Sequence, residues 1–455
     1  MAGNDFTAID EQPFQRFHWR AIVTTGLGVF CDGYDLSSVA LVLPLVLTSF
    51  GVQSLSSYES GLLASSALVG AALGAIVFGF LGQRGRKRFY GLDVFILGVG
   101  ALAQAFMPNL AWLIVCRFIL GFGIGADYVL SPVIMAEHSN RRDRGRALGL
   151  GFGTMWPLGA VAALILNLAL DRAGVSHDLQ WRIVLAAGAV PALAVLYFRR
   201  KMPETARYLA RLGSDQAEAS RVIKEISGKE QVAPRADQRA FSEVFATHAR
   251  RIFAAALLWM VFDLVVYAAV LFGPSLIAQG MGLTPVKFSL LINFIFVLPA
   301  SILMSWFVID HVGRKPLQVW GFVASSALLV VFAGMGGPGT STVLAFAVFG
   351  LFNVTMSGPG LVSGAGVFGV ELAPTRIRTV AQSITVAGGR IGAAISGFAF
   401  PLMFGKIGEA AAMLVLAGLA FLGAILTYLL VPETSRRSLE EINLEVLPDD
   451  GAPGA

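Results

Sequence analysis

The sequence predicts an all-α membrane protein: twelve transmembrane helices in two six-helix halves, with the N- and C-termini cytoplasmic. Three observations carry this prediction. Apolar segments of spanning length recur along the chain, the loops between them alternate in positive charge, and landmarks of the first half return in the second. Composition agrees, since 56% of the 455 residues are hydrophobic and 14% charged, against about a quarter charged in soluble domains.

The apolar segments run approximately over 20–48, 60–82, 89–107, 110–132, 146–170, 181–199, 251–278, 287–309, 316–335, 341–369, 380–403 and 410–431. Each is close to the ~20 residues that cross a ~30 Å hydrocarbon core as a helix. Helix is the assignment because a backbone in lipid must satisfy its own hydrogen bonds. The tenth segment is the least regular, interrupted by Gly358, Pro359, Gly360, Gly364 and Gly366. Gly70-x3-Gly74, Gly121-x3-Gly125 and Gly149-x3-Gly153 read as close-packing helix faces.

Loops after even-numbered spans hold Arg84, Arg86, Lys87 and Arg88, then Arg141, Arg142, Arg144 and Arg146, then Arg314 and Lys315, then Arg376 and Arg378. The other side holds little beyond Arg172, Lys287 and Lys406. Positive loops face the cytoplasm, which orients the bundle and accounts for the net charge of +5 without a nucleic-acid partner. The expected organisation is a six-helix bundle over 1–199, a cytoplasmic linker over 200–250, a second bundle over 251–431 and a tail over 432–455, multi-pass in the inner (plasma) membrane. The first twenty residues lack a short apolar core, so no cleavable signal peptide is expected.

The repeat is specific. Gly85-Arg86-Lys87 returns as Gly313-Arg314-Lys315, Glu137 with its arginine cluster as Glu371 with Arg376 and Arg378, and Pro203-Glu204-Thr205 as Pro432-Glu433-Thr434. Parallel repeats put a substrate site near the bilayer midplane, between the halves.

Four acids lie inside apolar spans: Asp32, Asp35, Asp127 and Asp263. A charge at the bilayer centre costs at least ~2.5 kcal/mol on insertion scales, so each calls for a partner or a task. Asp32 and Asp35, three residues apart, share a helix face. In low dielectric a carboxyl group favours its neutral form and can load a proton, which suits a coupling site; the plain alternative is a capping role or a structural pair with Arg117. Asp127 either relays protons or pairs with a loop arginine. Trp259, Asp263 and Tyr267 recur at i, i+4 and i+8, an arc of roughly 80°. They either line a polar cavity or simply pack between helices. Arg390 follows Gly388 and Gly389, and its planar fork fits carboxylate or phosphate oxygens. It can equally be held by Asp263 or Asp35. Glu137 and Glu371, beside Arg84, Arg86, Asp310 and Arg314, are the expected cytoplasmic gate.

The twelve-span plan, the Asp310-His311-Val312-Gly313-Arg314-Lys315 loop and the paired Pro-Glu-Thr ends resemble the major facilitator superfamily over essentially the whole chain. Gly123-Ile124-Gly125-Ala126-Asp127-Tyr128-Val129-Leu130-Ser131 is similar to the GIGGDYPLS signature of phosphate:H+ symporters, and Trp259, Asp263 and Tyr267 match that family's substrate-contacting Trp-x3-Asp-x3-Tyr. Asp32-Gly33-Tyr34-Asp35 resembles its first-span DxYD and the DGxD of aromatic-acid:H+ symporters. Departures accompany the likeness. Met155, followed by Trp156, stands where that family has a substrate-contacting glutamine, and Arg390 replaces its eleventh-span lysine. The first-half loop has Gln83 in place of the usual aspartate and is one residue short.

No GxxxxGK[ST] motif supports ATP coupling. No HExxH, GxSxG or Cys/His cluster supports an enzyme, a metal or another cofactor; Cys31 and Cys116 lie within spans without ligand spacing. The expectation is an alternating-access secondary transporter, monomeric, with lipid, protons and a small anionic solute as partners. Proton coupling falls to Asp32, Asp35 and Asp127, and substrate binding to Tyr128, Met155, Trp156, Trp259, Asp263, Tyr267 and Arg390. The loss of an amide at Met155 favours an organic carboxylate. Inorganic phosphate is the alternative; a neutral-solute facilitator and a transporter-like nutrient receptor stay open.

Overall fold

The computed structural model describes residues 6–213, 215–278, 282–335 and 342–445. Twelve helical legs run in chain order: α1 (Arg16–Ser49), α2 (Tyr58–Arg84), α3 (Leu92–Gln104), α4 (Leu110–His138), α5 (Arg144–Arg172), α6 (His177–Arg200), α7 (Phe241–Ala269), α8 (Pro285–Val312), α9 (Arg314–Gly334), α10 (Val343–Glu371), α11 (Arg378–Ile407) and α12 (Glu409–Leu430). Among the described residues, eleven are long and apolar enough to cross a membrane. The exception is α3, whose 13 helical residues fall short of the segment 89–107 read from hydropathy.

Local chemistry fixes the helix starts. Ser56 and Glu59 form a reciprocal capping box before α2, Ser56 Oγ accepting from Glu59 N at 3.2 Å and Glu59 Oε2 accepting from Ser56 N at 2.9 Å. Asn109 caps α4 through Trp112 N, and Thr284 caps α8 ahead of Pro285. The helix carrying the seventh span begins at Phe241, inside the segment read as linker. Its added turns are held because Val244 and Phe245 pack against Ala373, Ile377 and Ala381. Earlier in that linker are helices Ala206–Arg211 and Gln216–Ser227.

Glycines set the closest approaches. A Cβ at Gly121 would lie 2.0 Å from Ala67 O and one at Gly125 1.8 Å from Ala71 O, while Gly70 and Gly74 meet Phe118 O and Phe122 O in the same way. Thus α2 and α4 touch backbone to backbone through the two expected GxxxG faces. The third face joins the halves: Gly149 abuts Ser305 of α8, and Gly153 abuts Leu361 of α10. Single π turns interrupt α5 at Gly149–Thr154, α8 at Asn293–Val297 and Met304–Val308, and α10 at Gly360–Gly364. The last coincides with the glycine-rich irregularity noted in sequence, and Gly366, φ +71°, caps the helical turn that follows it.

Candidate functional site

A cavity of about 440 Å³ lies between the helices, lined from α1, α4, α5, α7, α8, α10 and α11. Its lining extends to Pro44, Leu164 and Pro285, near the ends opposite the arginine-rich loops. The structure gathers Tyr128, Trp156, Trp259, Asp263, Tyr267 and Arg390 around it. Three turns of α7 supply Trp259, Asp263 and Tyr267 on one face, as the i, i+4, i+8 spacing requires. Gly389 lets that face close on α11, since a Cβ there would sit 2.4 Å from the Trp259 ring.

Met155 is not in the lining. It packs with the hydrophobic core, its Cγ 2.8 Å from where a Gly26 Cβ would lie. The π turn just before it inserts an extra residue per turn and rotates the helix beyond, so that Trp156, not Met155, faces the cavity.

Arg390 is buried at 2% exposure. Its Nη1 donates to Tyr267 Oη at 2.8 Å, its Nη2 pairs with Asp32 Oδ2 at 3.5 Å, and its guanidinium carbon sits 4.2 Å above the Tyr128 ring. The partner is therefore Asp32, rather than the Asp263 or Asp35 considered from sequence. Tyr128 Oη and Trp156 Nε1 donate to the same Oδ2 at 2.8 and 3.2 Å, so three donors converge on one oxygen. Asp263 Oδ2 and Asp32 Oδ1 are buried without a hydrogen-bond partner.

Asp35 faces a different network from Asp32, although both are on α1. Arg117 Nη1 pairs with its Oδ2 at 3.2 Å, Gln104 Nε2 donates to its Oδ1 at 2.8 Å, and Arg117 also donates to Gln104 Oε1. Arg117 is the structural partner that the sequence offered. Gln104 is an addition, and an amide inside an apolar span is itself the signal that could have found it. Asp127 pairs with an arginine, but from the inner end of α6 rather than a loop. Arg199 Nη2 lies 2.6 Å from its Oδ1 and Arg199 Nη1 lies 2.5 Å from Asp93 Oδ2. Ser131 also donates to Asp127. Asp93 and Arg199 sit near the edges of their apolar segments, where hydropathy gives no reason to single them out.

On the side of the arginine-rich loops two glutamates tie the halves together. Glu137 accepts from Arg86 at 3.3 Å, from Arg378 at 2.8 Å and from the Thr205 hydroxyl. Glu371 accepts from Arg314 at 3.3 Å, from Arg144 at 2.7 Å and from the Thr434 hydroxyl. Each acid thus binds an arginine from its own half and one from the other. Arg144 and Arg378, topology signals in the sequence, are the crossing members. Arg84, grouped with the gate, is exposed and stands outside this network.

The profile of the sugar (and other) transporter family matches residues 21–445. A probable inorganic phosphate transporter 1-6 from Arabidopsis thaliana is 30% identical, over 98% of this chain and 97% of that protein. Probable inorganic phosphate transporter 1-10 from Oryza sativa subsp. japonica is 32% identical, over 96% and 91%. Among solved structures, the major facilitator superfamily proton:xylose symporter XylE bound to 6-bromo-6-deoxy-D-glucose aligns with a TM-score of 0.81 over 95% of this chain and 99% of that one, at 20% identity. The expected fold is therefore the one found, that of an integral multi-pass membrane protein.

Proposed function

The chain belongs to the sugar (and other) transporter family, and from that premise we propose that it carries inorganic phosphate together with protons, the two halves 1–199 and 251–431 rocking about the cavity. The relatives named for phosphate support this cargo. An organic carboxylate, the first expectation, loses its footing because Met155, on which it rested, lies outside the cavity.

The observation that carries the reading is the convergence of Arg390, Tyr128 and Trp156 on Asp32 Oδ2. The carboxylate occupies the donors that an oxyanion would use. When Asp32 takes a proton, its claim on them weakens, and a phosphate oxygen accepts from the same three groups. Charge-assisted hydrogen bonds to a fixed guanidinium are among the stronger ones available. Asp263, with a free oxygen at the cavity, accepts from a P–OH group, which gives a protonated phosphate an advantage over sulfate. Asp35, held by Arg117 and Gln104, is a second proton-loading carboxylate, and Asp127 a third behind Tyr128. Every proton in excess of the anion's charge adds ~2.3 kcal/mol of drive per 100 mV.

The test is uptake of labelled phosphate into proteoliposomes under an imposed inward proton gradient, with and without excess 4-hydroxybenzoate. Gradient-dependent accumulation that the aromatic acid leaves untouched is expected. Accumulation of the aromatic acid in place of phosphate would sink the reading, and phosphate binding without flux would make the protein a receptor. In Asp32→Asn, phosphate counterflow should persist while accumulation disappears, and affinity should change less with pH than in the wild type.

A further inference from the structure

The cavity offers more than a phosphate group can use. At about 440 Å³ it falls within the ~300–1,000 Å³ range of pockets that enclose organic molecules. The anion-binding groups are drawn from α1, α4, α5, α7 and α11. A second set of polar side chains comes from α8 and α10: Asn293, Asn353 and Ser357.

These residues keep acceptor oxygens at the cavity, and each asparagine also keeps its second N–H. Asn293 Nδ2 donates to Ser289 O at 2.9 Å, Asn353 Nδ2 to Phe349 O at 2.8 Å, and Ser357 Oγ to Asn353 O at 3.0 Å. Each of these groups has a hydrogen engaged with its own helix. No donor among the described residues reaches Asn293 Oδ1 or Asn353 Oδ1. Acceptors in a partly apolar cavity favour a solute whose donors meet them over one that leaves them unpaired. Inorganic phosphate brings only its P–OH hydrogens, which Asp263 claims. A carbon body bearing hydroxyl groups, joined to the phosphate as an ester, supplies the missing donors and lies against the apolar side chains of Phe262 and Met356.

We propose that the same site accepts phosphomonoesters of small polyols as a second class of cargo, with the phosphate end at Arg390 and the hydroxyl groups at Asn293 and Asn353. This rests on the phosphate reading of the site. No covalent step is involved, and the ester crosses intact.

Glycerol 3-phosphate labelled on carbon is the probe, in the same proteoliposomes and gradient used for phosphate. The carbon label should accumulate with the proton gradient, and the unlabelled ester should compete with labelled phosphate where glycerol does not. The double variant Asn293→Leu/Asn353→Leu should cut ester uptake about tenfold, the effect of losing one or two hydrogen bonds, with phosphate uptake within about twofold of wild type. Phosphate accumulation without ester accumulation, and without competition at a hundredfold excess, overturns the proposal but leaves phosphate transport intact. Equal losses of both substrates in the double variant overturn it too, because they mark a structural role. Accumulation of neither substrate by the wild type removes the phosphate reading along with it.

Discussion

The loop after α2 and the loop after α8 carry the same Gly-Arg-Lys landmark, yet they grip the opposite half by different chemistry. Much is shared. Gly85 and Gly313 both have positive φ, +131° and +104°, and each loop is capped by the acid of a Pro-Glu-Thr end. Glu204 accepts from Lys87 N, and Glu433 from Arg314 N and Lys315 N, each at 3.0 Å. The difference is one residue. In the second half Asp310 accepts from the backbone N–H groups of Gly145 and Arg146, at 3.1 and 2.6 Å, where α5 begins, and from Arg314 at 2.7 Å. In the first half Gln83 stands at that place and donates a neutral bond to Thr379 Oγ1 at 2.7 Å, where α11 begins. A carboxylate at a helix N-terminus meets both free N–H groups and the positive end of the dipole. An amide gains little from either. The second half's loop therefore grips the opposite half more firmly than the first's does.

The largest expected effect comes from removing the stronger grip. Asp310→Asn leaves Arg314, fully buried, with Glu371 as its remaining carboxylate partner. Breaking a buried pair costs about 3–5 kcal/mol, so gate closure should weaken by a hundredfold or more. Ser305, packed against Gly149 between the halves, gives a readout as Ser305→Cys. An impermeant maleimide on the side of the arginine-rich loops should label it far faster in the Asp310→Asn background. Unchanged labelling would mean that the loop of the second half does not hold the gate.

A smaller effect is expected from the first half. Gln83→Leu removes one neutral hydrogen bond, worth about 1 kcal/mol, and should speed labelling of the same cysteine about fivefold. Gln83→Asp sharpens the comparison, because it gives the first half the acid that the second has. A carboxylate beside the first turn of α11 should add about 0.3–1 kcal/mol, slowing both labelling and turnover. Faster labelling in Gln83→Asp would show that the amide is there to avoid something, such as crowding by Glu137 and Glu204, rather than as a weaker grip.

Much of this plan is legible in the sequence, and the parts that are not share a physical cause. Hydropathy and loop charge locate the spans, because those properties are local. The repeat picks out Glu137, Glu371 and the two Pro-Glu-Thr ends, but not that the threonines Thr205 and Thr434 donate to the glutamates. Helical spacing and family likeness find Tyr128, Trp156, Trp259, Asp263, Tyr267 and Arg390 at the cavity. Met155, placed there by likeness to that family's glutamine, fails because its side chain packs against Gly26 and the core, while the next residue, Trp156, lines the cavity. Residues three apart on a helix differ by roughly 60° in direction, enough to send Asp32 to Arg390 and Asp35 to Arg117. The Asp93–Arg199–Asp127 cluster joins α3, α6 and α4 across long sequence separations, and pairing at that range leaves no local pattern.

The smallest effect concerns a contact that lies outside both loops and should respond to pH without favouring either half. Asp10 and Glu440 share Arg207: Asp10 Oδ1 lies 2.8 Å from its Nη2, and Glu440 accepts from its Nε and Nη2 at 2.7 and 3.2 Å. Burial pushes the Asp10 carboxyl up to about 6, with Arg207 pulling it down and Glu440 pushing it further up. Burial also raises Glu440, but Arg207 outweighs it and holds that carboxyl at about 2. The two windows are distinct. A raised acid makes the folded state bind its proton more tightly than the unfolded one, so Asp10's contribution is greatest below its ordinary 3.8 and is lost as pH rises towards 6. Glu440's contribution is present above its ordinary 4.5 and is lost only as pH falls towards 2. Between pH 4.5 and 6, then, the Asp10 dependence should stand clear of the Glu440 one. In Asp10→Asn the fall in melting temperature as pH rises across that interval should be shallower than in wild type, and the Asp310→Asn labelling phenotype should be unaltered when the two changes are combined. A pH dependence that survives Asp10→Asn would assign it to another group, and one that changes with Asp310 would make the Asp10–Arg207–Glu440 contact and the loops a single lock.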